Sequence, residues 1–93
     1  MNDGAGRASP SEIRDRLLRL VAQILGKPEA ATTLPVEGRL NELGMSSIKM
    51  VNLMLAVETE FDLTIPQGDI TPENFRSVAT VEALLGRLLA TKT

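Results

Sequence analysis

The sequence predicts an all-α fold: an antiparallel bundle of three main helices plus one short helix, with a long first loop. Three observations point to it. Apolar residues recur at spacings of three and four in separate stretches. No stretch shows the strict alternation of a strand. Ser-Pro and Thr-Pro pairs stand where helices would start. Short connections after the first favour antiparallel neighbours. The domain is expected to span residues 9–90, between a disordered polar tail at 1–8 and a short C-terminal tail at 91–93.

The first helix is announced by Ser9 as N-cap, Pro10 at the first helical position and Glu12 three residues after the serine, a capping-box pattern. Ile13, Leu17, Leu20, Val21 and Ile24 then form one apolar stripe, and Gly26 and Pro28 end the helix. From Lys27 to Met45 the apolar residues Leu34, Val36, Leu40 and Leu43 follow no period, so this stretch reads as a loop whose leucines pack inward. The second helix is expected over Ser47 to Glu60. Its stripe is Ile48, Val51, Leu55 and Phe61, widened by Met50, Leu53, Met54 and Val57, which predicts a helix largely surrounded by the bundle. Ile24, Val51, Leu55 and Leu85 are expected to meet in the core. Thr71 and Pro72 open a short helical turn through Phe75, and Thr80 caps a last helix with Val81, Leu84, Leu85 and Leu88 inward.

Composition excludes several classes of function. The 93 residues contain no Cys and no His, so thiolate nucleophiles, imidazole bases, disulfides and the commonest zinc sites are absent. A self-sufficient enzyme is not expected. A net charge of −2 and only two aromatic residues, Phe61 and Phe75, give no basis for binding nucleic acid. The apolar runs are too short to span a membrane, and the first residues lack the apolar core of a signal peptide, so a cytoplasmic monomer is the expectation.

The stretch Leu43-Gly44-Met45-Ser46-Ser47-Ile48 places two serines where the long loop becomes the second helix. Alone, the pair fits a cap followed by a bland first-turn residue. The surroundings say more. Leu43-Gly44 before the pair, Glu58, Glu60 and Phe61 after it, Ile65-Pro66, and Thr80 to Leu84 resemble the acyl and peptidyl carrier proteins from Ser9 to Leu89. The resemblance implies a covalent phosphopantetheine, taken from coenzyme A, on Ser47, with Ser46 as the cap. It implies a non-catalytic carrier that holds an acyl or aminoacyl group as a thioester. A negative phosphodiester suits a helix start, where backbone N–H groups and the helix dipole are positive.

The resemblance also implies partners: a phosphopantetheinyl transferase, an acyl- or aminoacyl-activating ligase, and a downstream acyltransferase or synthase. Met45, Ser46, Ile48, Lys49 and Asn52 surround the attachment serine and are the expected partner contacts. Two departures stand out. The family carries Asp before the modified serine, where this chain has Ser46, and that Asp helps the transferase hold its metal ion. Fatty-acid carriers are acidic at the positions of Lys49 and Asn52, so a partner outside fatty-acid synthesis is expected, a discrete aminoacyl carrier being one form of it. The reading from another class is an unmodified helical protein–protein interaction domain that keeps the fold and has lost the arm. Met50 and Met54 read as gap-filling core and name no cargo.

Overall fold

The computed structural model describes residues 10–90, which contain three α-helices and no strand. They are α1 (Pro10–Ile24), α2 (Ser47–Phe61) and α3 (Val78–Ala90), with 3₁₀ helices at Pro28–Thr32 and Gln67–Asp69 between them. The expected cap Ser9 and both expected tails lie outside the described residues. Burial of apolar surface drives the assembly. α1 packs against both α2 and α3. Its Ile13, Leu17 and Val21 meet Leu53, Val57 and Phe61 of α2 and Val78, Val81, Leu84 and Leu85 of α3, all buried. Exposed ion pairs add only modestly to this packing: Arg14 reaches Glu82 at 2.8 Å and Arg16 reaches Glu60 at 2.7 Å, with the Arg16 guanidinium lying over the Phe61 ring.

The rotation of α2 differs from the sequence expectation. Leu53, Val57 and Phe61 form the buried line, spaced by four, while Ile48 is 76% exposed, Val51 52% and Leu55 58%. The helix therefore has two apolar faces, and one of them is not covered by the bundle. Both faces satisfy a three-and-four spacing, so periodicity alone does not choose between them. Ile24, expected in the centre, is only half-buried against the core.

The long first connection packs as its scattered leucines suggested. Leu40 is fully buried, and Leu34, Val36 and Leu43 lie partly buried against the core. Two backbone bonds fasten this loop to the start of α3: Leu40 N–H donates to the Arg76 carbonyl at 2.8 Å, and Ala79 N–H donates to the Val36 carbonyl at 2.9 Å. The second gives a first-turn N–H of α3 the acceptor it lacks inside the helix. The loop also contains the short helix Pro28–Thr32, which the sequence did not announce.

α3 starts earlier than expected. Ser77, not Thr80, is its cap. Ser77 Oγ accepts from Thr80 N–H at 3.2 Å, and Thr80 Oγ1 accepts from Ser77 N–H at 3.0 Å. Thr80 is the returning half of a reciprocal box, a part usually played by Glu or Gln. The segment 71–75 is a hydrogen-bonded turn in which Thr71 Oγ1 accepts from Asn74 N–H at 3.1 Å and Phe75 N–H donates to the Thr71 carbonyl at 3.2 Å. It places Phe75 in the core without growing into a helix.

Leu53→Ala and Leu40→Ala should each cost about 2–5 kcal/mol in urea denaturation, since each empties a fully buried site. Leu55→Ala should cost less than about 1 kcal/mol, as expected of an exposed position. A large loss for Leu55→Ala alone would mean that α2 is turned the other way.

Candidate functional site

The start of α2 is set by the residues that precede it. The Leu40 carbonyl accepts both Leu43 N–H and Met45 N–H at 3.0 Å, folding residues 40–45 into a tight turn. Gly44 adopts φ +107°, a conformation that residues with a Cβ rarely hold. Met45, 3% exposed, then enters the core and fixes where the chain emerges. Met45 was expected among the partner contacts. Its burial makes it an anchor instead.

Ser46 is extended, with φ −73° and ψ 172°, and its Oγ accepts from Lys49 N–H at 3.3 Å, as an N-cap does. Its carbonyl accepts from Met50 N–H at 2.8 Å. Ser47 is the first helical residue and is exposed. Lys49 N–H is taken by the cap, while Ser47 and Ile48 N–H have no intrahelical acceptor, so the helix start presents positive dipole ends at the Ser47 hydroxyl. Ser46, Ser47, Ile48 and Asn52 are exposed and Lys49 is half-buried. The structure thus gathers the expected site residues at one helix end, Met45 excepted.

Sequence reasoning did not place the groove beside α2. An open groove of about 630 Å³ runs beside α2, with Met50, Met54, Ile70 and Phe75 in its lining and Arg39 and Arg76 also contributing. Met50 and Met54 are half-buried, packed against the core as expected and also forming part of the groove wall. Arg39 and Arg76 are far apart in sequence, and the Leu40–Arg76 backbone bond brings them together. α2 has no acidic residue in its first turn, and its two carboxylates are engaged elsewhere. Glu58 accepts from Ile65 N–H at 2.9 Å, and Glu60 holds Arg16. No signal in the spacing separates Leu53, Val57 and Phe61 from the stripe of Ile48, Val51 and Leu55, so the rotation of α2 was not legible there.

Comparison with known proteins gives a consistent picture. Residues 15–88 match the family described as "Phosphopantetheine attachment site". "Aminoacyl carrier protein 1" of Bradyrhizobium diazoefficiens is 46% identical over 79 residues, covering 85% of this chain and 88% of that protein. "Aminoacyl carrier protein 2" of the same organism is 45% identical over 73 residues, covering 78% and 82%. Among solved structures, a Bradyrhizobium japonicum glycine:[carrier protein] ligase complexed with glycylated carrier protein contains a chain that is 49% identical. It aligns with a TM-score of 0.64 over 77% of this chain and 97% of that one.

Removing the cap by Ser46→Ala should lower stability by about 0.5–2 kcal/mol, and Ser46→Asp should retain it, because either side chain can accept from the same N–H. Gly44→Ala should cost about 1–2 kcal/mol from backbone strain. A Cβ there would meet nothing nearer than Leu25 at 3.9 Å, so the loss would not come from a clash. Chemical denaturation of the three variants checks these values.

Proposed function

The chain belongs to the phosphopantetheine-attachment family of carrier proteins, and we propose that it carries an amino acid on an arm joined to Ser47. It is a carrier and not an enzyme. The arm, donated from coenzyme A, supplies the thiol that this chain lacks. The observation that carries the choice of residue is the division of labour at the helix start. The Ser46 hydroxyl is engaged as the cap, while the Ser47 hydroxyl is exposed beside N–H groups that have no intrahelical acceptor. A phosphodiester fits this position, because its charge meets the positive helix end and its exposure leaves the arm within reach of other proteins.

The amino-acid cargo is supported by relatives named aminoacyl carrier proteins and by the ligase complex of a 49% identical chain. The partners we infer are a phosphopantetheinyl transferase, a stand-alone amino-acid-activating ligase and a downstream acyltransferase or synthase, in the cytoplasm. Among the described residues no helix is long and apolar enough to cross a membrane. Ser46 keeps the capping role that an Asp would perform and lacks its charge, so the modifying transferase must work without a carboxylate there. Lys49 and Asn52 lie within two turns of Ser47 and contact the loading enzyme, as do Ser46 and Ile48.

Intact-mass measurement after incubation with a transferase and coenzyme A should show one phosphopantetheinyl group added. Ser47→Ala should abolish the addition, and Ser46→Ala should retain most of it. Addition that survives the first change and vanishes with the second would assign the arm to Ser46. Lys49→Glu with Asn52→Glu should raise the KM of the loading ligase for the carrier more than it lowers kcat, by on the order of 0.2–1 kcal/mol and less at high salt. An unchanged KM at low salt would remove these two residues from the docking surface.

A further inference from the structure

We propose that the charges of the groove beside α2 select the carried group, favouring an amino acid whose side chain ends in a carboxylate. This deepens, and rests on, the reading of the chain as an aminoacyl carrier with its arm on Ser47. Met50, Met54, Ile70 and Phe75 give the groove apolar walls, and its volume of about 630 Å³ is ample for one amino acid.

Position connects the groove to the arm. Met50 and Met54 stand three and seven residues after Ser47, so the three share one face of α2. The helical rise sets Met50 roughly 4.5 Å and Met54 roughly 10.5 Å along the axis from Ser47. An arm rooted at Ser47 that turns back along its own helix face runs into this groove.

Charge says what the groove takes. Its lining holds two cations, Arg39 and Arg76, and one carboxylate, Glu73. Among the described residues none of these three is in an ion pair, whereas Arg14, Arg16 and Arg87 each are. The bond from Leu40 N–H to the Arg76 carbonyl brings the two arginines to one wall, where like charges repel. A carboxylate held there offsets the repulsion and accepts the paired, charge-assisted hydrogen bonds that guanidinium groups donate.

The choice among cargoes follows from the signs. An amino acid bound through its own carboxyl keeps a cationic α-ammonium, which Glu73 attracts and the arginines repel. A neutral side chain leaves the arginines unmatched, and a basic one adds to the repulsion. A plain fatty acyl group suits the walls and leaves all three charges unmatched. An aspartyl or glutamyl group carries one cation and one anion, and so meets both signs in the groove.

The test loads the apo chain through a phosphopantetheinyl transferase with coenzyme A analogues bearing glutamyl, glutaminyl, glycyl or glutaryl groups, an amide replacing the thioester so that the cargo stays in place. Intact mass counts the additions, and amide NMR spectra and thermal midpoints are recorded at pH 6, where the α-amine is protonated. At low salt the glutamyl chain should shift the signals of Arg39, Met54, Phe75 and Arg76 relative to the glutaminyl and glycyl chains. Its Tm should be about 2 °C higher, and both differences should fade at high salt. Arg39→Gln with Arg76→Gln should remove the shifts at Met54 and Phe75 and the Tm difference. Both arginines are exposed, so the apo midpoint should stay the same. Glutamyl and glutaminyl chains with the same spectrum and midpoint overturn the charge selection and leave the aminoacyl reading intact, as do differences that survive the Gln pair. A glutaryl group that shifts these signals more than glutamyl does gives the groove to a dicarboxylic acyl cargo and overturns the aminoacyl form of the proposal. A chain that the transferase leaves unmodified, or an addition that survives Ser47→Ala, overturns the attachment reading and the proposal together.

Discussion

The placement of the start of α2, and with it Ser46 and Ser47, depends on Leu40. Its side chain is fully buried, its N–H reaches the carbonyl of Arg76, and its carbonyl holds the N–H groups of Leu43 and Met45. One residue thus pins a long connection to the start of α3 and closes the turn that delivers Ser46 and Ser47. A loop of this length would ordinarily be free to vary in path. Here the core supplies the constraint. Gly44 supplies the backbone freedom to turn, and Met45 supplies a second buried anchor immediately before the helix. The same Leu40 bond sets Arg39 beside Arg76, so the pin that orients the serine also builds the basic wall of the groove.

The second constraint is that α2 must satisfy two different surroundings. Its inner line, Leu53, Val57 and Phe61, is held by α1, and Arg16 clasps the far end through both the side chain and the carbonyl of Glu60. Its outer line is apolar and exposed. Burying Ile48, Val51 and Leu55 inside the chain would have meant turning the helix and exposing Leu53 and Val57. The bundle takes the face that matches α1 and leaves the other exposed. The corner after α2 needs Asp62 at φ 53°, a residue type that tolerates this conformation, and Glu58 is spent on securing that corner.

The site performs no chemistry of its own. The chain has no His or Cys, and its contribution is a hydroxyl at a helix end whose unpaired donors favour an attached anion. Ser46 and Ser47 share the work by position. The extended residue caps, and the first helical residue keeps its hydroxyl exposed. Two residues of one chemical type acquire different roles because the backbone changes conformation between them.

The three helices were legible in the sequence because each carries a stripe at spacings of three and four with a Ser or Thr near its start, and the first two have a Gly or Pro beyond the end. The capping of α2 by Ser46 was legible for the same reason, since a cap acts over three residues. Ser47 was singled out as the proposed attachment point by a resemblance that rests on residues spread along the chain. What tertiary structure decided was everything that depends on which surface meets which. The rotation of α2, the burial of Met45, the capping of α3 by Ser77 and the meeting of Arg39 with Arg76 involve choices between sequence-equivalent alternatives. Hydrophobic periodicity shows that a helix has apolar faces. Only packing against α1 decides that Leu53 turns inward and Leu55 outward, because burial energy is a property of the pair of surfaces and not of either alone.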